Sequence, residues 1–207
     1  LLFYTDGIVV YNQDHEIMDN GTDLFGDPSS TQSAIIVPQP GNPNMFYIFT
    51  VDTALSQTNA DKGLNYSIVD ISLNGGKGAV VNKNIPLLTH SSEKLAAVVK
   101  NCTDQSIWLI TLASEDGETS GFNTYHAFEI STTGVANTSI KSTFENLYIN
   151  DPRGYLKISS DGTQVASANM VGGLFVYDFD LETGIFSNQQ RLSITGPIEA
   201  AYGVEFS

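Results

Sequence analysis

Three histidines, one cysteine and two runs of acids are the side chains of this chain best equipped for chemistry, and their spacing limits what each can do. His15, His90 and His126 lie far apart, without the close pairing of a zinc motif, so a zinc site is not expected. Cys102 is the single cysteine, which leaves no intrachain disulfide. No histidine neighbours it in sequence, and its place in a turn near Trp108 points to a buried or half-buried structural thiol rather than a nucleophile. Asp178, Asp180 and Glu182 alternate before Gly184, and Asp14, Glu16, Asp19, Asp23 and Asp27 form a second acidic run. Carboxylates in turns supply the oxygen ligands that Ca²⁺ prefers, so Asp178, Asp180 and Glu182 are the candidate metal ligands. The competing reading is ordinary turn chemistry, in which Asp caps its own backbone and exposed acids keep strand edges soluble. No Gly-x-Ser-x-Gly elbow, phosphate loop or dinucleotide fingerprint occurs, so the common hydrolase, kinase and dehydrogenase arrangements have no support. No catalytic residue is assigned, and no cofactor beyond Ca²⁺ is expected.

The elements that must position these residues are short strands. From Tyr155 to Ser159 apolar and polar residues alternate, and Asp161-Gly162 offers the positive backbone dihedral of a two-residue hairpin turn. Val165 to Ala168 suits a buried inner strand, and Leu174 to Asp178 alternates again before a turn closed by Gly184. This is the pattern of one blade of a β-propeller. Tyr202 to Ser207 echoes Tyr155 to Ser159 roughly 48 positions later, a spacing within the range of propeller repeats.

The same layout is expected upstream. Leu1 to Asp6 and Ile8 to Asn12 form a hairpin around Asp6-Gly7. Ser33 to Val37, Met45 to Asp52, Leu64 to Leu73 and Ala79 to Leu88 form one unit, and Leu95 to Lys100, Ser106 to Ala113, Thr124 to Ser131 and Ala136 to Phe144 the next. The expected fold is all-β, a β-propeller of four-stranded antiparallel blades. About four blades are present: a half blade at 1–27, blades at 28–90, 91–148 and 149–196, and the first strand of another at 197–207. Two alternatives remain, a piece of a larger propeller or an almost closed four-bladed one, and the piece is preferred because both ends look cut mid-strand. Thr53 to Lys62 and Ser114 to Asn123 both join second to third strands, so they are expected on one face, where a propeller builds a binding surface.

The 207 residues are 41% hydrophobic and 15% charged, enough for one sizeable core. The net charge of −14 repels a phosphate backbone, so nucleic acid is not an expected partner. No apolar run approaches the length of a membrane span. Trp108 either packs in the core or lines a sugar platform.

Leu1 to Gly7, Met18 to Gly21, Ser29-Ser-Thr-Gln-Ser33 through Pro38, Tyr47 to Asp52, Gly63 to Asp70 and Glu93-Lys-Leu95 carry a more specific signal. They resemble the propeller-like N-terminal region of large secreted surface proteins of the Bacteroidetes, which often precedes a type IX secretion signal of the kind labelled gliding motility-associated. The resemblance implies passage through type IX secretion components and a place on the outer cell surface of a Gram-negative bacterium or in the medium. It implies no catalytic residues. Asp52-Thr53-Ala54 matches the short pattern used for O-glycosylation in that phylum, which makes Thr53 a candidate acceptor. The expected function is a non-enzymatic surface module that binds protein or glycan. The alternatives are a lactonase-like or glycan-cleaving propeller with acids at its channel, and an architectural spacer.

Overall fold

A side-chain period of two dictates extended chain, and strands account for nearly all regular structure in the computed structural model, which describes residues 2–53, 61–119, 121–195 and 200–207. β1 (Phe3–Thr5) and β2 (Val10–Asn12) pair as a hairpin. β3 (Ala34–Pro38), β4 (Met45–Val51), β5 (Leu64–Asp70) and β6 (Ala79–Leu88) form one antiparallel sheet in chain order. β7 (Ala96–Asn101), β8 (Ser106–Ala113) and β9 (Thr124–Ser131) form the next, and both β10 (Gly134–Val135) and β11 (Ile140–Thr143) pair with β9. β12 (Leu156–Ile158), β13 (Gln164–Asn169), β14 (Gly173–Asp180) and β15 (Ile185–Leu192) complete a third sheet. The fold is all-β: among the described residues the one helical element is a 3-10 turn at Asn74–Gly76. The strands of each sheet lie within one of the segments 1–27, 28–90, 91–148 and 149–196.

Burial explains why the middle sheet reads as continuous apolar sequence. β8 is buried at every position, and its side chains alternate between two cores. Ile107 and Leu109 point to the cluster shared with Tyr47, Phe49 and Leu64 of the preceding sheet. Trp108, Ile110 and Leu112 point to the cluster shared with Val165, Phe175 and Tyr177 of the following one. A third cluster joins Phe3 and Val10 to Ile48 and Val69. Each large side chain removed from water in this way contributes roughly 1.5–3 kcal/mol. β14 is less complete: Phe175, Tyr177 and Phe179 are buried, but the alternate Leu174 and Val176 are half-buried. The first strands β3, β7 and β12 lie side by side, with β7 in the middle.

Three expectations need correction. The strand expected at Ala136 to Phe144 is divided, because the four residues between Val135 and Ile140 oppose the two between Ile130 and Ala127, and the excess bulges out between β10 and β11. The Asp161-Gly162 turn is a four-residue loop rather than a two-residue one. Ser159 N donates to the Gln164 carbonyl, and the Asp161 carboxylate accepts from Ser159 Oγ and Thr163 N, so only Gly162 takes a positive φ. Part of 197–207 falls on 196–199, outside the described residues. Residues 200–207 form no strand; they lie against β12 through Tyr155 N to the Tyr202 carbonyl at 2.8 Å, and Ala201 N bonds the Asn169 carbonyl at 3.0 Å. Two such bonds do not make a ladder.

Candidate functional site

Neighbouring first strands pair little with each other through backbone, so side chains at their N-terminal ends must span the gaps. Gln32, just before β3, does this with one amide. Its Oε1 accepts from Leu95 N at 3.3 Å and Leu156 N at 2.9 Å, and its Nε2 donates to the Leu95 and Leu156 carbonyls at 2.8 and 3.3 Å. Glu93 and Lys94, just before β7, complete the clamp and are buried. The Glu93 carboxylate accepts from Thr31 N, Thr31 Oγ1 and Thr53 Oγ1 at 2.7 to 2.9 Å. Lys94 Nζ donates to the carbonyls of Arg153, Gly154 and Ala168 at 3.3, 2.8 and 2.7 Å. Gly154 is required at its place: φ is +121°, and a Cβ would stand 2.2 Å from the Ala168 carbonyl oxygen. Burial lowers the Lys94 pKa to about 7, against the opposing pull of Glu93 and Asp151. Every proton of this ammonium and both oxygens of Glu93 already have partners, so the cluster holds strands and is not free to attack a substrate.

The residues that carry the family resemblance, Ser29 to Ser33 and Glu93 to Leu95, thus sit largely in this clamp. Their role was not legible, because Gln32, Lys94 and Gly154 meet only through the fold.

Below the three strands is a hollow of about 280 Å³ walled by Ile35, Leu95, Ala97, Leu156 and Ile158. Its carboxylate is Glu205, paired with Lys157 at 2.8 Å. A larger groove of about 620 Å³ opens between the β3–β4 and β7–β8 loops. Pro38, Pro40 and Pro43 form one wall, Val99, Cys102 and Ile107 the other, and no charged side chain lines it. Gly41 N donates to Gln105 Oε1 at 3.2 Å and ties the loops together. Three prolines fix the backbone, so the groove is preformed.

The sequence candidates are not gathered into one place. Among the described residues no group of three His, Cys, Asp or Glu is close enough to hold a metal ion. Asp178 accepts from Asn188 Nδ2, and Asp180 caps Glu182 N and Thr183 N, which holds its carboxyl below the usual range. Glu182 is exposed. Asp14 and Glu16 pair with Lys77, so this pair of acids does turn and surface work. Thr53 Oγ1 is engaged by Glu93; its neighbours 54–60, most of the Thr53 to Lys62 connection, lie outside the described residues. Cys102 corrects the expected buried thiol, because the 101–105 turn projects it outward into the groove wall. Trp108 is 2% exposed, donates to the Leu181 carbonyl at 2.8 Å and lies under Lys100, so it is core and no sugar platform. His15 is exposed, His90 pairs with Asp61 and stacks on Phe122, and His126 is buried.

No family model matches this chain, and no curated protein does. Among solved structures it is similar to a functionally unknown protein from Desulfotomaculum acetoxidans DSM 771, with 13% identity and a TM-score of 0.47. The alignment covers 94% of this chain and 52% of that one, so this chain spans about half the length of that protein. No helix among the described residues is long and apolar enough to cross a membrane.

Proposed function

We propose that the chain is part of a β-propeller that captures a protein or glycan ligand in the groove between Pro38–Pro43 and Val99–Ile107. The reading places it on the outer surface of a Gram-negative bacterium, as cargo of the type IX route. Three antiparallel meanders of four, five and four strands, packed on one another and clamped at their first strands by Gln32, support the propeller. The half-buried Leu174 and Val176 on the far side of β14 support a further blade packed there. The observation that carries the binding role is the groove itself: preformed, concave, uncharged and walled by proline and aliphatic side chains on two neighbouring loops.

The rival, an acid-dependent hydrolase, finds less support. The hollow between the first strands has one lining carboxylate, Glu205, and Lys157 is paired with it. A spacer role leaves the preformed groove without a use.

The test is a combined glycan and extended-peptide array probed with the protein and with Val99→Asp. Val99 is 49% exposed, so a charge there leaves the core intact and spoils the groove. Retention of a ligand by the parent and its loss in Val99→Asp supports the proposal; no retained ligand, or equal retention by both, overturns it.

A further inference from the structure

His126 on β9 is fully buried, and with Ser139 it lines a small recess between β9, β11 and the end of β6. Its Nε2 lies 2.8 Å from the Ser114 carbonyl oxygen, and its Nδ1 lies 2.8 Å from Ser139 Oγ. A carbonyl oxygen only accepts, so Nε2 carries the hydrogen. The neutral ring therefore presents its lone pair at Nδ1 to the Ser139 hydroxyl, which is the arrangement a general base needs toward a nucleophile.

The elements around the ring fix this geometry. Ser114 is 5% exposed, and its hydroxyl donates to Asp116 Oδ1 at 2.6 Å, which anchors the loop that supplies the carbonyl. Lys141 Nζ on β11 donates to the Glu115 carbonyl at 2.7 Å and ties that loop to the strand after Ser139. Ser139 itself stands in the bulge between β10 and β11, half-buried rather than sealed in. The bulge thus lifts one serine out of the ladder and toward the imidazole.

We propose that Ser139 and His126 form a nucleophile and base pair that cleaves short-chain acyl esters entering the recess beside Leu87 and Leu88. The Ser139 oxygen attacks the ester carbonyl carbon as its proton passes to His126 Nδ1. The tetrahedral adduct collapses, the bond to the alcohol oxygen breaks, and the alcohol leaves with that proton, giving an acyl-serine. Water then attacks the acyl carbon, gives a proton to His126 and releases the carboxylic acid, and the proton returns to Ser139. The Ser114 carbonyl takes the part of the group that orients the base. Asn137 and Thr138 line the same recess, and among the described residues none accepts a hydrogen bond from their backbone N–H groups, so these donors are assigned to the oxyanion. The recess holds about 180 Å³, with Leu87, Leu88 and Phe128 in its walls, which suits an acetyl- or propionyl-sized group and excludes long acyl chains.

Burial, the largest influence, lowers the pKa of His126 from 6.5, aided by Lys141 and opposed by the Ser114 carbonyl, Asp116 and Glu115. The base is therefore neutral at pH 7. This activity does not rest on ligand capture in the Pro38–Pro43 groove and stands or falls separately.

The experiment is labelling of the whole chain with a fluorophosphonate, located by peptide mass spectrometry, beside hydrolysis of p-nitrophenyl acetate. A single adduct at Ser139, absent in Ser139→Ala, is expected, with the ester rate of that variant down at least ~100-fold. Since His126→Gln can fail to fold, the pH profile of labelling in the unmodified chain is the second readout, and it is expected to rise with a midpoint below 6.5. No adduct, an adduct that persists in Ser139→Ala, or a rate without that inflection overturns the proposal.

Discussion

Lys94→Met isolates the clamp that holds the first strands together. Methionine matches the length of the lysine stem, so it fills the same space while leaving the Arg153, Gly154 and Ala168 carbonyls without their donor. Two of those bonds are 2.7–2.8 Å long, and the third is weaker at 3.3 Å. A buried acceptor deprived of its donor costs roughly 1–3 kcal/mol, and relief from burying the amine offsets part of the sum. The expected net loss is on the order of 3 kcal/mol, which for a chain of this size lowers Tm by roughly 6–12 °C in calorimetry at pH 7. Titration adds an independent signature. Lys94 has a folded pKa of about 7 against 10.5 as its ordinary value. Below pH 7 both folded and unfolded chains hold the proton, and burial of the charge counts fully against folding. Between pH 7 and 10.5 the unfolded chain keeps a proton that the folded chain has released, so this lysine makes stability rise with pH, by up to ~1.4 kcal/mol per unit. Lys94→Met lacks that slope, so its deficit relative to the parent widens from pH 7 to pH 9 in denaturant titrations. A variant as stable as the parent at pH 7, or stability curves that run parallel with pH, would refute the reasoning.

Other outcomes follow from the same contacts. Gln32→Leu removes the amide that bonds Leu95 and Leu156 and is expected to lower stability by roughly 2–4 kcal/mol in denaturant titration. Gly154→Ala forces a side chain toward the Ala168 carbonyl at positive φ and should cost more than ~3 kcal/mol or prevent folding, read by circular dichroism of the expressed chain. Trp108→Phe deletes the bond to the Leu181 carbonyl and part of the packing on Gly184, for an expected loss of ~1–3 kcal/mol by calorimetry. A chelator is expected to leave Tm unchanged, because Asp178 is engaged by Asn188 of β15 and Asp180 by its own turn; a fall in Tm restored by Ca²⁺ would reverse that assignment.

What the sequence revealed was what neighbours in sequence decide. The apolar stretch at Ser106 to Ala113, the strands around it and the Asp-Gly loops follow from side-chain alternation and from glycine at positive φ, so β8, β9 and most strand bounds were legible. The β10–β11 bulge was not, since Ala136 to Ser139 contains no glycine or proline to announce it. Cys102 was misplaced because nearness to Trp108 along the chain says nothing of direction once the 101–105 turn intervenes. The clamp and the recess were hidden for a common reason: Gln32 meets Leu156, Lys94 meets Ala168, and His126 meets Ser139 across a bulge, through register that no local pattern records.

The central claim is that the groove beside Cys102 captures a ligand, and the chain carries its own probe there, since that thiol is its single cysteine and is exposed. The most direct measurement is the affinity of an array-selected ligand before and after alkylation of Cys102 with a bulky maleimide. Loss of binding by tenfold or more, ~1.4 kcal/mol, with Tm unchanged is the predicted result. Undiminished binding by the alkylated chain would contradict it.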